Sequence, residues 1–210
     1  MIKVLIADDH PVVREGLKQI ISKDDDINIA GEALNCYEVI ELVEKEDWDV
    51  VVMDLNMPGK DGLELLKDLK SLKPELPILI LSVFPEEQIG VRTFKLGASG
   101  YMNKETAPKE LVNAIKKIYN GGKYISAALA EKLVAGLEEG SDKNPHDLLS
   151  DREFQVLRLI ASGKDVDEIA EELFISVKTV RTYRDRILEK LKLKNNVEIA
   201  HYALKNRLLE

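Results

Sequence analysis

Apolar residues in the first part of the chain alternate between short continuous runs and stretches of helical period. The runs fall at residues 3–7, 27–31, 49–53, 78–81 and 100–102. The first four are short and rich in Val, Ile or Leu, as strands buried on both faces should be. The fifth, Gly100-Tyr101-Met102, is weak alone and is assigned as a strand from its place in the series. Between the runs the period changes. Val12, Val13, Leu17, Ile20 and Ile21 fall on one helical face. Leu63, Leu65, Leu66, Leu69 and Leu72 repeat that pattern, with Asp61 as a plausible N-cap and Pro74 as a stop. Five strands alternating with helices predict βαβ units, a parallel sheet and right-handed crossovers. Residues 1–122 therefore read as one α/β domain.

The pattern changes over residues 123–147. Ser126 is placed to cap a short helix whose Leu129, Leu133 and Leu137 recur every fourth residue. The segment 140–147, Gly-Ser-Asp-Lys-Asn-Pro-His-Asp, is polar with Gly and Pro and reads as a linker. From Ser150 onward every periodic segment is helical, so residues 148–210 predict a small all-α domain. Ser150 with Glu153 three residues later forms a capping box, and Val156, Leu157, Leu159 and Ile160 supply the apolar face behind it. Ser162-Gly163 ends that helix. Asp165 or Asp167 starts a short one carrying Ile169, Ala170 and Leu173. After a tight turn Ser176 caps a helix running to about Leu191. Two helices joined by a short turn make a helix-turn-helix, whose second helix enters the major groove of DNA.

Composition narrows the classes. Hydrophobic residues are 45% and charged residues 32% of the 210, an ordinary globular balance. One cysteine, Cys36, excludes an internal disulfide and fits a reducing compartment. No stretch approaches the roughly 20 apolar residues of a membrane helix, and the N-terminal run is too short for a signal peptide, so a cytoplasmic location is expected. The net charge of −8 argues at first against nucleic acid. Residues 147–210, however, hold about twelve acidic and about twelve basic side chains, so the acidic excess lies upstream. DNA binding needs a basic face, not a basic chain.

Candidate chemistry collects at strand ends. Ligands of open parallel sheets bind outside the carboxyl ends of the strands, near the switch in strand order. Asp8 and Asp9 follow the first strand and Asp54 follows the third, so three carboxylates are expected to converge on one edge. Close unpaired anions repel, and a hard divalent cation such as Mg²⁺ resolves the conflict. Taken singly, Asp8 and Asp9 read as helix caps before Pro11, and Asp54 as a turn residue. Ser82 at the end of the fourth strand and Lys104 just past the fifth shift that reading. A hydroxyl and an ammonium beside an acid–metal cluster are what a phosphorylated carboxylate needs.

These residues resemble the receiver domain of response regulators: Asp8-Asp9, Asp54 with Met57-Pro58-Gly59 behind it, Ser82, and Lys104 with Tyr101 three before it. The resemblance implies a flavodoxin-like (βα)5 fold in which Asp54 accepts a phosphoryl group from a sensor histidine kinase. It implies that Asp8, Asp9, Asp54 and the Asn56 backbone carbonyl hold Mg²⁺ and that Lys104 contacts the phosphoryl group. Ser82 and Tyr101 would form a switch pair, the hydroxyl drawn inward and the ring filling the vacated space. Glu105 stands where many receivers carry a proline after the lysine.

On a helical wheel of the second helix-turn-helix element, Val180, Ile187, Leu188 and Leu191 gather on one face. Lys178, Arg181, Thr182, Asp185 and Glu189 lie opposite, with Arg186 on the flank and Tyr183 beside the core face. Lys178, Thr179, Arg181 and Thr182 sit near the positive helix N-terminus, which favours phosphates. Arg181 is suited to guanine, and Asp185 either accepts from cytosine or pairs with Arg181 one turn earlier. Leu149-Ser150-Asp151-Arg152-Glu153, Glu168-Ile169-Ala170, residues 175–180 and Lys190-Leu191 resemble the LuxR-type helix-turn-helix of NarL/FixJ response regulators. The resemblance implies groove contacts from Arg181, Thr182 and Asp185, with Lys178 and Thr179 nearer the backbone. Tyr183 in place of a frequent histidine, and the acidic Asp165-Val166-Asp167, depart from the common pattern and resemble the GacA/UvrY subgroup, which implies control of small regulatory RNA genes. Double-stranded DNA and a second copy of the chain are the expected partners, the dimer using Ile, Ala and Leu of a last helix at 197–208. A metal-dependent aspartyl phosphatase is the rival reading. It usually wants an Asp-x-Asp pair after the first strand, where this chain has adjacent acids. A regulator working without phosphate is a third.

Overall fold

The computed structural model describes residues 1–210 except 61, 84, 85, 139–144, 207 and 210, and describes no side chain at 87, 88, 132, 135–138, 147 and 151. The helix cap read at Asp61, and most of the polar linker at 140–147, therefore lie outside the described residues. By contact density the chain divides into two units, Met1–Gly140 and Ser141–Glu210.

In the first unit five parallel strands lie in the order β2-β1-β3-β4-β5: β1 Ile2–Ala7, β2 Ile27–Ala33, β3 Val50–Asp54, β4 Ile78–Ser82 and β5 Gly100–Asn103. The order reverses direction between β1 and β3, which pair Val4 with Val50 through Ala7 with Met53. Strand side chains alternate between two cores. Leu5, Ala7, Val51, Met53, Ile78 and Ile80 face the layer of α2 (Cys36–Lys45), α3 (Gly62–Leu72) and α4 (Glu86–Lys95). Val4, Ile6, Val50, Val52, Leu79 and Leu81 face α1 (Pro11–Ile21) and α5 (Ala107–Tyr119). The inner strands of a sheet covered on both faces have no solvated side and read as continuous apolar runs, whereas the edge strand β2 alternates and exposes Asn28, Ala30 and Glu32. The sequence pattern places α1 and α3 correctly, but not every member of each face is core: Val12, in the first turn of α1, is 85% exposed and Leu72, the last residue of α3, 46% exposed.

Helix α6 (Ala127–Glu138) belongs to this unit. Ser126 Oγ accepts the Leu129 N–H at 3.1 Å, and the Ser126 N–H donates to Glu86 Oε1 of α4 at 3.2 Å. Leu129 is 1% exposed. Its Cδ2 would lie 2.6 Å from a Cβ added at Gly90, so the bare backbone at residue 90 lets Leu129 pack closely on α4.

The second unit holds α7 (Asp151–Ala161), α8 (Val166–Glu172), α9 (Val177–Leu191) and α10 (Asn196–Lys205), preceded by a 3₁₀ turn at Pro145–Leu148. Helix starts are satisfied locally. Ser150 with Glu153, and Asp165 with Glu168, form capping boxes, and Ser176 and Asn195 cap α9 and α10. Asp165 is thus the start of α8. That helix ends in a Schellman arrangement: the Phe174 N–H donates to Glu171 O at 3.2 Å and the Ile175 N–H to Ala170 O at 3.0 Å. Phe174 occupies the left-handed position with φ 53°. Glu153 is 1% exposed, and its carboxylate accepts from both the Ser150 N–H and Lys190 Nζ, tying α7 to α9.

In the last helix Ile199 and Ala203 are fully buried against the domain core, so the isoleucine expected on its free face is not there, whereas Val197 at 78% and Leu204 at 65% are exposed. Spacing alone does not say which side of a short amphipathic helix meets α7.

Candidate functional site

The carboxyl ends of β1 and β3 bring Asp8 and Asp54 to the point where the strand order switches. Parallel register fixes this: Ala7 pairs with Met53, so the residue after each strand pair emerges on one edge. Both carboxylates are almost removed from water, Asp8 at 1% and Asp54 at 2% exposure. Lys104, one residue past β5, reaches across to both. Its Nζ lies 2.7 Å from Asp8 Oδ2 and 2.8 Å from Asp54 Oδ2. The backbone beneath is pinned, because the Lys104 N–H donates to Ser82 O at 2.8 Å. Ser82 itself is fully buried at the end of β4.

Charge is unbalanced in this pocket. Burial pushes the Asp54 carboxyl above the usual range; Lys104 pulls it down and Asp8 pushes it up again. Burial alone would lower the Lys104 ammonium, but the Asp54 and Asp8 carboxylates outweigh it and hold Lys104 above its ordinary value. The acid cluster has room for a cation. Ligand atoms of Asp8, Asp9, His10 and Asp54 lie within 4.8 Å of one another. Asp9 Oδ1 is buried with no hydrogen bond of acceptable geometry, although His10 Nδ1 is 2.8 Å away. A buried, unsatisfied carboxylate oxygen beside two other carboxylates is what a hard divalent cation would satisfy, so the residues present fit a metal site.

Asn56 lies in the turn after β3, its N–H donating to Asp54 Oδ1 at 3.1 Å. Gly62, at the start of α3, packs where a Cβ would meet Leu55 O at 2.4 Å, so the loop carrying Asp54 folds tightly back on that helix. Tyr101 lies in the core at 2% exposure. Its ring packs in the core that faces α2, α3 and α4. Two residues of the pocket escaped the sequence reading. His10 joins the acid group, and its place directly after Asp8-Asp9 was the available signal. Arg14 donates from Nη1 to Asp8 O at 2.8 Å and from Nε to Glu32 at 3.0 Å, bracing the β1 end from α1; nothing in its spacing announced this.

In the second unit α9 buries Val180, Ile187 and Leu191 and exposes Lys178, Arg181, Thr182, Asp185 and Arg186. Thr179 is half-buried, its hydroxyl 2.8 Å from Ser176 Oγ and its N–H donating to that oxygen. Thr182 Oγ1 donates to Lys178 O at 3.0 Å. Asp185 pairs with Arg184 Nη1 at 3.1 Å rather than with Arg181. Arg181 thus keeps an exposed guanidinium.

A doubly covered parallel sheet with an acid–lysine pocket at its switch point, joined to a capped four-helix unit with a helix-turn-helix, defines a two-part regulator. Residues 4–116 match the response regulator receiver domain, and residues 147–203 match the bacterial regulatory proteins of the luxR family. The chain belongs to the NarL/FixJ family of response regulators. It is 35% identical over 209 residues to the response regulator UvrY of Escherichia coli, covering 99% of this chain and 96% of that one. It is 37% identical over 215 residues to the oxygen regulatory protein NreC of Staphylococcus carnosus, covering 99% of each. Among solved structures it resembles RcsB of Salmonella enterica bound to promoter rprA in the presence of phosphomimetic BeF3⁻, with TM-score 0.63, 31% identity and coverage of 96% and 97%. Identity to NreC is no lower than to UvrY, so a set of target genes does not follow from these likenesses. Among the described residues no helix is long and apolar enough to cross a membrane.

Proposed function

We propose that phosphorylation of Asp54 by a sensor histidine kinase controls how this chain binds double-stranded DNA through α9. Residues 1–122 would be the phosphoacceptor part, 123–147 the connection and 148–210 the DNA-binding part. The convergence of Lys104 on two buried carboxylates, beside the unsatisfied Asp9 oxygen, carries the reading.

An Asp54 carboxylate oxygen attacks phosphorus on a kinase phosphohistidine. The O–P bond forms as the P–N bond breaks, and the departing imidazole takes a proton from solvent. Asp8, Asp9, Asp54 and the Asn56 carbonyl would hold Mg²⁺, which when bound supplies charge neutralisation for the phosphoryl oxygens. Lys104 leaves its carboxylate partners to pair with the new phosphoryl group, and the Ser82 hydroxyl donates to another of its oxygens. Hydrolysis of the acyl phosphate resets the site, so the chemistry serves regulation and turns over no metabolic substrate. Arg181, Thr182 and Asp185 face the groove, with Lys178, Thr179 and Arg186 toward the phosphates. The solved RcsB structure bound to a promoter with a phosphomimetic supports the pairing of these two parts. Paired half-sites call for a homodimer, and the reading places the protein in the cytoplasm.

A DNA-shift assay with and without a small acyl-phosphate donor and Mg²⁺, run on native protein and Asp54→Asn, tests this. The donor should raise DNA affinity for native protein alone. Native protein that gains phosphate by mass spectrometry yet binds DNA unchanged would overturn it.

A further inference from the structure

Phe174 is a large aromatic ring with 92% of its surface exposed, in the turn between α8 and α9. It also holds a backbone conformation that its own chemistry opposes. At φ 53° it fills the left-handed position of the Schellman arrangement that ends α8, where glycine or asparagine is the residue without steric penalty. Nothing in the folded unit compensates: the ring is not among the residues of the helical core, whereas its neighbours Leu173 and Ile175 pack against that core. The exposed ring gains nothing from burial and the left-handed backbone is a cost, and such strain clusters at working surfaces.

The position indicates what the ring meets. Phe174 lies two residues before Ser176, the cap of α9, and so at the end of that helix that leads into the groove in a helix-turn-helix. Lys178 and Arg181 are exposed just beyond it in the first turns of α9. Although Glu171 and Glu172 are exposed just before the ring, the two cations beyond it with one apolar projection beside them complement the wall of a DNA groove, where deoxyribose carbons and thymine methyls are the apolar groups among phosphates.

We propose that Phe174 is a DNA contact, its ring packing against deoxyribose carbons or a thymine methyl at the groove edge. The proposal rests on the reading of α9 as the DNA-facing helix. Covering most of an exposed phenylalanine corresponds to about tenfold in affinity. Because the contact is uncharged, the dependence of affinity on salt should stay the same, whereas loss of a phosphate-contacting lysine shallows it.

The test uses the full chain and a duplex it selects from a random pool, with binding measured across a salt series for native protein, Phe174→Gly, Phe174→Asn and Arg181→Ala. Both Phe174 variants should bind about tenfold more weakly with an unchanged salt slope, and neither should melt at a lower temperature than native protein. A duplex with uracil for thymine separates the sources. If it weakens native protein and not Phe174→Gly, the ring meets a methyl; if it affects both alike, the ring meets sugar. Unchanged DNA affinity in the Phe174 variants, or a clear fall in their melting temperature, would overturn the proposal. In that case a loss of binding in Arg181→Ala leaves the α9 reading standing, and no loss removes that reading as well.

Discussion

Replacing Lys104 by methionine isolates the electrostatics of the acid pocket. The substitution keeps the apolar stem and deletes the ammonium that lies 2.7 Å from Asp8 and 2.8 Å from Asp54. Two carboxylates at 1% and 2% exposure are then left without it. Breaking a buried ion pair by removing one partner costs about 3–5 kcal/mol, because the other charge stays desolvated. The lower end applies, because without Lys104 both burial and Asp8 push the Asp54 carboxyl upward, and proton uptake there relieves part of the strain. A cation changes the balance. The ammonium and a divalent ion compete for the same oxygens, so the variant should bind Mg²⁺ more tightly than native protein. Native protein gains from the ion too, so the gap closes by the ratio of the two dissociation constants: a variant that binds about one-hundredfold more tightly recovers about 2.7 kcal/mol, most of the deficit.

The chain's single tryptophan, Trp48, lies 7% exposed in the core of the first unit, so its fluorescence reports unfolding of that unit. In chelator, the urea midpoint of Lys104→Met should fall by about 1.5 M for a slope near 2 kcal/mol/M. In saturating Mg²⁺ the gap should nearly close. An equal loss in both conditions would mean that Lys104 and the cation do not share the acids, and the account of the pocket would be wrong.

The remaining predictions probe other parts of the same structure. Burial holds the folded Asp54 pKa above its unfolded value, so the ionised group costs stability above the folded pKa and that cost fades as pH falls through it. In chelator at neutral pH, Asp54→Asn should therefore melt higher than native protein by calorimetry, lose that advantage in acid, and gain little from added Mg²⁺. Glu153→Ala removes half of a capping box and a buried partner of Lys190; the second unit should lose about 3 kcal/mol, and Glu153→Gln, which can still accept from the Ser150 N–H, about half of that. Circular dichroism of the two variants decides whether the ion pair matters beyond the cap. Leu129→Ala should loosen α6 from α4 by roughly 2–3 kcal/mol, seen as faster hydrogen exchange over residues 127–134, and Gly90→Ala should do the same by intruding on Leu129.

The inner strands were legible because a strand covered on both faces must be apolar along its length: Val50, Val51, Val52 and Met53 all vanish into one core or the other. The acid pocket followed from topology, since parallel strands open on one edge and Asp8, Asp54 and Lys104 each sit at a strand end. Helix starts in the second unit were legible for a local reason, the cap being written within four residues of each start. What escaped depends on contacts distant in sequence. The brace of Arg14 on the Asp8 carbonyl needs α1 to settle against β1, and the close packing of α6 on α4 needs the bare backbone of Gly90 to meet Leu129 thirty-nine positions later. The last helix shows the same limit from the other side: which of its apolar residues stay free, Leu204 but not Ile199 or Ala203, depends on how α7 covers it. Phe174 is a further case: a phenylalanine favours burial and the left-handed position after α8 favours glycine, and the folded unit meets neither demand. A residue that defies packing and backbone preference together is costly to keep unless something outside the fold meets it, which is why the sharpest functional lead lies where local reasoning failed.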